Sequence, residues 1–106
     1  MISQIHVFVK GDVIGVGFRA WTKIQSKITH VTGWVQNVFD RPEIFGPHGG
    51  VEAVIQGEEE DLAIMLEHVK KGSPISRVDD VEVFYEEPKE IFEEFTILKS
   101  KSYQSK

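Results

Sequence analysis

Cysteine is missing altogether from these 106 residues. Its absence removes disulfides, Cys-ligated zinc, iron–sulfur clusters and cysteine nucleophiles together. It also fits a reducing compartment. Long hydrophobic runs are missing too, so no segment reads as a membrane span. The opening MISQIHVFVK lacks a basic start, an apolar run and a small-residue cleavage site. It does not read as a secretory leader, and a cytoplasmic location away from membranes is expected. Positive charge is scarce, with twelve Lys and Arg against seventeen Asp and Glu and a net charge of −5. Nucleic-acid binders usually present a basic field, so no nucleic-acid partner is expected. A small anion remains a possible ligand only where positive potential is local.

Histidine is present but scattered. His6, His30, His48 and His68 include no i, i+4 pair, so no metal site is expected. Solvated or locally hydrogen-bonded rings are the simpler reading for all four. His48 lies in a long loop where it could touch a substrate.

What is there is a single-domain pattern, residues 1–98, followed by a polar tail at 99–106 that is expected to fray. Ile5, Val7 and Val9 alternate with His6, Phe8 and Lys10, which predicts a strand over 5–10. Three glycines at 11–17 predict a turn. Residues 18–29 then switch to helical spacing, with Phe18, Trp21, Ile24 or Gln25, and Ile28 expected on one buried face. Residues 33–37 read as a second strand and 51–56 as a third. Between them, 38–50 hold two prolines and three glycines and read as a long loop.

Residues 58–71 predict a second helix with Leu62, Met65, Leu66 and Val69 as its stripe. Acids crowd its first turn and Lys70 and Lys71 its last, which suits the helix dipole. Residues 78–87 read as a fourth strand, with Val81, Val83 and Tyr85 alternating with Glu82, Phe84 and Glu86, and 95–98 as a short fifth. The acidic residues Glu86, Glu87, Glu90, Glu93 and Glu94 read as a solvated face. Strand, helix, strand, strand, helix, strand makes an α+β ferredoxin-like split βαβ sandwich. Its sheet is mainly antiparallel, with two helices on one face and a short fifth strand added.

The turn has a chemistry of its own. Glycine tolerates positive φ and close approach of backbone to a ligand. Successive N–H groups in such a turn can converge on one anion. The helix that follows adds unpaired N–H donors and its positive dipole end. Arg19 stands in its first turn, where a guanidinium grips phosphate oxygens bidentately. The segment is neither a Walker A loop nor a dinucleotide fingerprint. Taken alone, it reads equally as an anion site or as a Gly-rich turn beside a solvated arginine.

Residues 9–19 resemble the acylphosphatase signature, in which a strand leads into G-x-V-Q-G-V-x-F-R. Here it reads Gly11-Asp12-Val13-Ile14-Gly15-Val16-Gly17-Phe18-Arg19. Gly33-Trp34-Val35-Gln36-Asn37 is similar to the family's second signature, G-W-V-x-N. Gly49-Gly50-Val51 through Gly57, and the stretch 72–83, also resemble the family pattern. The likeness spans 5–98, and several motifs in the right order are far more specific than one.

The resemblance implies the same ferredoxin-like fold that the periodicity predicts. It implies hydrolysis of the carboxyl–phosphate bond of a small acyl phosphate, without metal or cofactor. By position, the family's phosphate-binding arginine falls on Arg19 and its water-orienting asparagine on Asn37. The backbone cradle falls on Asp12, Val13, Ile14, Gly15, Val16 and Gly17. Such chemistry needs positioning and charge stabilisation rather than a strong base, because the leaving carboxylate is already good.

Two departures stand out. Ile14 replaces the signature Gln, which a cradle of backbone donors can survive. An eight-residue insertion, 41–48 (RPEIFGPH), follows the strand that carries Asn37. It could hang over the site as a lid that alters access for the acyl end, or extend away as a hairpin. A monomer is expected, with this loop as the place where a dimer contact would form.

Two other readings compete. A non-catalytic ferredoxin-like module could bind RNA through Phe8 and Phe84 on its open sheet face, though the charge balance opposes it. A domain that binds small anions with weak catalysis is the second, prompted by Ile14 and the insertion. Phe18, Trp21 and Trp34 read as packing residues, and the acids at 58–61 as a helix start.

Overall fold

The computed structural model describes residues 1–102. Its elements run β1 (Ser3–Asp12), α1 (Phe18–Thr29), β2 (Thr32–Val38), α2 (Pro42–Phe45), β3 (Gly50–Gly57), α3 (Glu59–Lys71), β4 (Arg77–Glu86) and β5 (Phe95–Ile97). The sheet order is β4-β1-β3-β2-β5. Every pairing is antiparallel except the β2–β5 edge, which is parallel. This is the ferredoxin-like sandwich the periodicity predicts.

Alternation decides which face is covered. Ile5, Val7 and Val9 of β1 and Val51, Ala53 and Ile55 of β3 point to the helix layer and are buried. They join Phe18 of α1 and Leu62, Met65 and Val69 of α3 in one core. Each Val, Ile, Leu, Met or Phe side chain among them contributes roughly 1.5–3 kcal/mol when fully buried.

The stripe expected on α1 is corrected. Ile24 and Ile28 are 57% and 61% exposed, while Thr22, Ser26 and Thr29 are buried beside Phe18. Thr22 Oγ1 donates to Phe18 O at 2.7 Å, Ser26 Oγ to Lys23 O at 2.6 Å and Thr29 Oγ1 to Gln25 O at 2.8 Å. Hydroxyls satisfied by their own helix remove the cost of burying them. Small side chains on that face also let the helix approach its neighbours closely. Tyr85 is likewise exposed, at 78%, because β4 is an edge strand.

The open face is partly closed by the connection from β4 to β5. Gln56, 1% exposed, clamps it down. Its Nε2 donates to Gln4 Oε1 at 2.7 Å and to Glu90 O at 2.6 Å, and its Oε1 accepts from Phe92 N at 2.9 Å. The acidic side chains of that connection are exposed, as expected.

The long loop contains the short helix α2, which the sequence reading does not predict. Beyond β5 the chain stays paired to β2: Lys101 N donates to Asn37 O at 2.8 Å and Phe39 N to Lys101 O at 2.7 Å. Residues 103–106 of the expected tail lie outside the described residues. No helix among the described residues is long and apolar enough to cross a membrane.

Candidate active site

The site begins where β1 ends. Gly15 and Gly17 have φ of 78° and 73°. A Cβ at either would meet nothing within 4 Å, so the left-handed backbone, rather than space, calls for glycine there. Gly17 caps α1 without any side-chain hydrogen bond, and the first turn holds no acid. The first intrahelical donor is Trp21 N, to Gly17 O at 3.0 Å. The N–H groups of Phe18, Arg19 and Ala20 therefore have no partner within the helix. An uncapped N-terminus with its dipole unopposed suits an anion.

Asn37 arrives by register. Val9 pairs with Val81 on one side and with Val51 on the other, and Val51 pairs with Asn37. The row faces the helix layer, so Asn37 ends a line of three valines and is only 6% exposed. Among the described residues no protein group hydrogen-bonds its side-chain amide, although its backbone is held by Lys101. A neutral amide left open can accept from a water through oxygen and donate elsewhere through nitrogen.

Arg19 is half-buried and makes no ion pair among the described residues. Lys10, Arg41 and Arg77 each sit against an acid, namely Glu82, Glu43 and Asp79. The arginine at the helix start is thus a cation left open in an acidic chain.

These features meet in one cavity of about 200 Å³, lined by Val13, Gly15, Gly17, Phe18, Arg19, Ala20, Asn37 and Ile97. None of these is acidic. Arg19 and Asn37 come together, as do three of the six cradle positions. Asp12, Ile14 and Val16 do not line it. Asp12 closes β1 opposite Arg77, and Ile14 and Val16 pack against the core. Sequence reasoning misses Phe18, which it takes as packing alone, and Ala20 and Ile97. Ile97 was within reach, since inward alternation from buried Phe95 marks it out.

Ile14 has a local reason. A Cβ placed on Gly49 would lie 3.1 Å from Ile14 Cδ1 and 2.9 Å from Phe39 Cδ1. An apolar side chain here faces the two ends of the insertion. The insertion itself lies on the open sheet face, where Phe45 packs against Phe8 with ring centroids 5.9 Å apart. A Cβ at Gly50 would overlap the Phe45 ring, so glycine leaves room for it. None of residues 41–48 lines the cavity. The lid expectation is corrected to the hairpin one, because burying Phe45 on Phe8 draws the loop away from the cavity.

The open face also carries His6, whose Nε2 lies 2.6 Å from Glu52 Oε2 and whose Nδ1 lies 3.1 Å from Glu86 Oε2. The hydrogen bond to Glu52 is the main reason its pKa is raised, against the opposing effect of burial. Phe8 and Phe84 meet edge-on at 5.8 Å, but Phe8 is also stacked on His6 and covered by Phe45. Glu52, Glu82 and Glu86 surround the pair through the same ladder. That is a packed aromatic cluster in an acidic setting, unsuited to a phosphate backbone. Trp34 packs on this face too, edge-on to His6.

A family model described as acylphosphatase matches residues 5–97. An acylphosphatase of Syntrophobacter fumaroxidans is 41% identical over 94 residues, covering 89% of each chain. One of Haloarcula marismortui is 42% identical, covering 81% of this chain and 86% of its own. The crystal structure of an acylphosphatase from Bacillus subtilis superposes with a TM-score of 0.77 at 34% identity, covering 92% of this chain and 99% of that one.

Proposed function

The chain belongs to the acylphosphatase family, and from that premise we propose how its residues divide the work. The enzyme hydrolyses the carboxyl–phosphate bond of acyl phosphates, giving a carboxylate and phosphate. In our reading the phosphoryl group sits at the N-terminus of α1, held by backbone N–H groups of the glycine turn and by the Arg19 guanidinium. Charge redistributes over the phosphoryl oxygens in a loose transition state, and fixed donors there stabilise it without reorganising.

Asn37 orients the attacking water through its side-chain oxygen. The water oxygen bonds to phosphorus as the phosphorus–acyl oxygen bond breaks. The electron pair leaves with the carboxylate, and the water's proton passes to the phosphate product. Positioning supplies most of the help, since the anhydride is already activated.

The observation that carries this reading is the pairing of an open Arg19 with an open Asn37 amide on one cavity free of carboxylates. Nothing favours the non-catalytic module. Steady-state kinetics on benzoyl phosphate separates the roles. Arg19→Gln should raise KM and lower kcat together, while Asn37→Ala should lower kcat by about 100-fold with KM little changed. Equal behaviour of Asn37→Ala and wild type would remove the water-orienting role.

A further inference from the structure

A second cavity, of about 550 Å³, opens on the other side of α1 between that helix and the end of α3. Trp21 and Gln25 of α1, His68 and Lys71 of α3, and Ser73 and Ser76 of the next loop line it. It contains no carboxylate. The catalytic cavity shares that property, whereas one other cavity is bounded by Glu86, Glu87 and Glu90 beside Lys89 and another by Glu58, Glu59 and Glu60.

Two polar atoms in this wall lack partners. Ser73 is 6% exposed, and its Oγ accepts and donates no hydrogen bond among the described residues. His68 Nδ1 is buried and unpartnered in the same way. Buried polar groups are nearly always satisfied, so a pair of orphans in one wall calls for an explanation. Serine χ1 has three staggered wells, so the Ser73 hydroxyl has other directions open to it than the one it takes here. The Trp21 ring offers an apolar, planar surface beside them, and Lys71 offers the charge.

We propose that this cavity binds a small organic carboxylate with a planar or apolar body. The carboxylate would face Lys71 and Ser73, and the body would lie against Trp21. The negative end of α3 opposes an anion here. Lys70 and Lys71 in its last turn offset that, and the terminal Gly72 N–H is already bonded to His68 O at 2.9 Å. Bare phosphate fits less well, because it would leave the Trp21 surface uncovered. The site adjoins the catalytic one, since the Trp21 and Phe18 rings are 5.3 Å apart and Phe18 lines the catalytic cavity. The inference does not depend on the hydrolytic assignment.

The test is a benzoate titration of the full chain followed by amide and indole NMR signals. The Trp21 indole and the Gly72 and Ser73 amides should shift saturably, with a Kd on the order of millimolar. Lys71→Ala, a change at an exposed position, should weaken this binding about fivefold. Arg19→Gln should leave those shifts in place, which separates this site from the catalytic one. Inorganic phosphate should instead move signals at 15–20. The proposal is overturned if benzoate shifts only the turn residues, if Lys71→Ala binds as wild type does, or if phosphate moves the Trp21, Gly72 and Ser73 signals equally.

Discussion

Asn37 pairs with Val51 in the ladder between β2 and β3, so the amide extends a row of inward valines that includes Val9. A polar residue at the end of a hydrophobic row is not there for packing. Asn37→Val should therefore fold well and hydrolyse poorly. Its unfolding free energy should match or exceed wild type, because an amide without a protein partner, on a residue only 6% exposed, is replaced by an apolar group. A chemical denaturation curve beside a rate assay checks both halves.

Gly17 should tolerate substitution according to backbone conformation rather than bulk. With φ at 73° and empty space around a notional Cβ, Gly17→Ala should cost about 1–2 kcal/mol. Gly17→Asn should cost less, since Asn visits the left-handed region more readily. Denaturation of the two variants gives the order. The reverse order would mean that contact, not φ, selects glycine there.

His6 links stability to pH. Its pKa is raised above the ordinary 6.5, chiefly by the hydrogen bond to Glu52. Glu52 is lowered below its ordinary 4.5, chiefly by the hydrogen bond to His6. A raised histidine stabilises fully below its unfolded value and loses that contribution as pH rises through the folded one. A lowered glutamate stabilises above its unfolded value and loses that as pH falls. Both contributions coexist between about pH 4.5 and 6.5. The melting temperature should peak in that window and decline above it, and His6→Gln should flatten the decline. A decline unchanged in His6→Gln would assign it to other groups.

The insertion should matter to stability and not to turnover. Phe45→Ala should cost about 1–2 kcal/mol from lost apolar contact with Phe8. Both kcat and KM for benzoyl phosphate should stay within about twofold, because no residue of 41–48 lines the cavity. A large change in KM would restore a role for the loop at the acyl end.

Much of this was legible in the sequence where one rule acted alone. Alternation placed β1 and β4, and glycines followed by Arg19 marked the turn and the start of α1. The rest failed where tertiary context overrode local pattern. Ile24 and Ile28 looked like core, but hydroxyls satisfied within α1 took the buried face. Tyr85 kept the right period and still faced water, because β4 has only one neighbour. The path of residues 41–48 depended on Phe45 finding Phe8, a contact across 37 positions that no local signal announces. In the site, Arg19 stood out from charge and position. Alternation from Phe95 marks the face of Ile97, but its place beside Asn37 comes from the parallel pairing of β5 with β2, which local pattern does not announce.

Hydrolysis of benzoyl phosphate by the purified chain, wild type beside Arg19→Gln, decides whether the turn and Arg19 form the hydrolytic site. Wild type should turn over the substrate, and Arg19→Gln should lose at least about 100-fold in kcat/KM, as expected when one charged donor to the transition state is removed. Its melting temperature should hold, since Arg19 makes no ion pair among the described residues. A wild type without activity, or an Arg19→Gln enzyme as fast as wild type, would contradict the account.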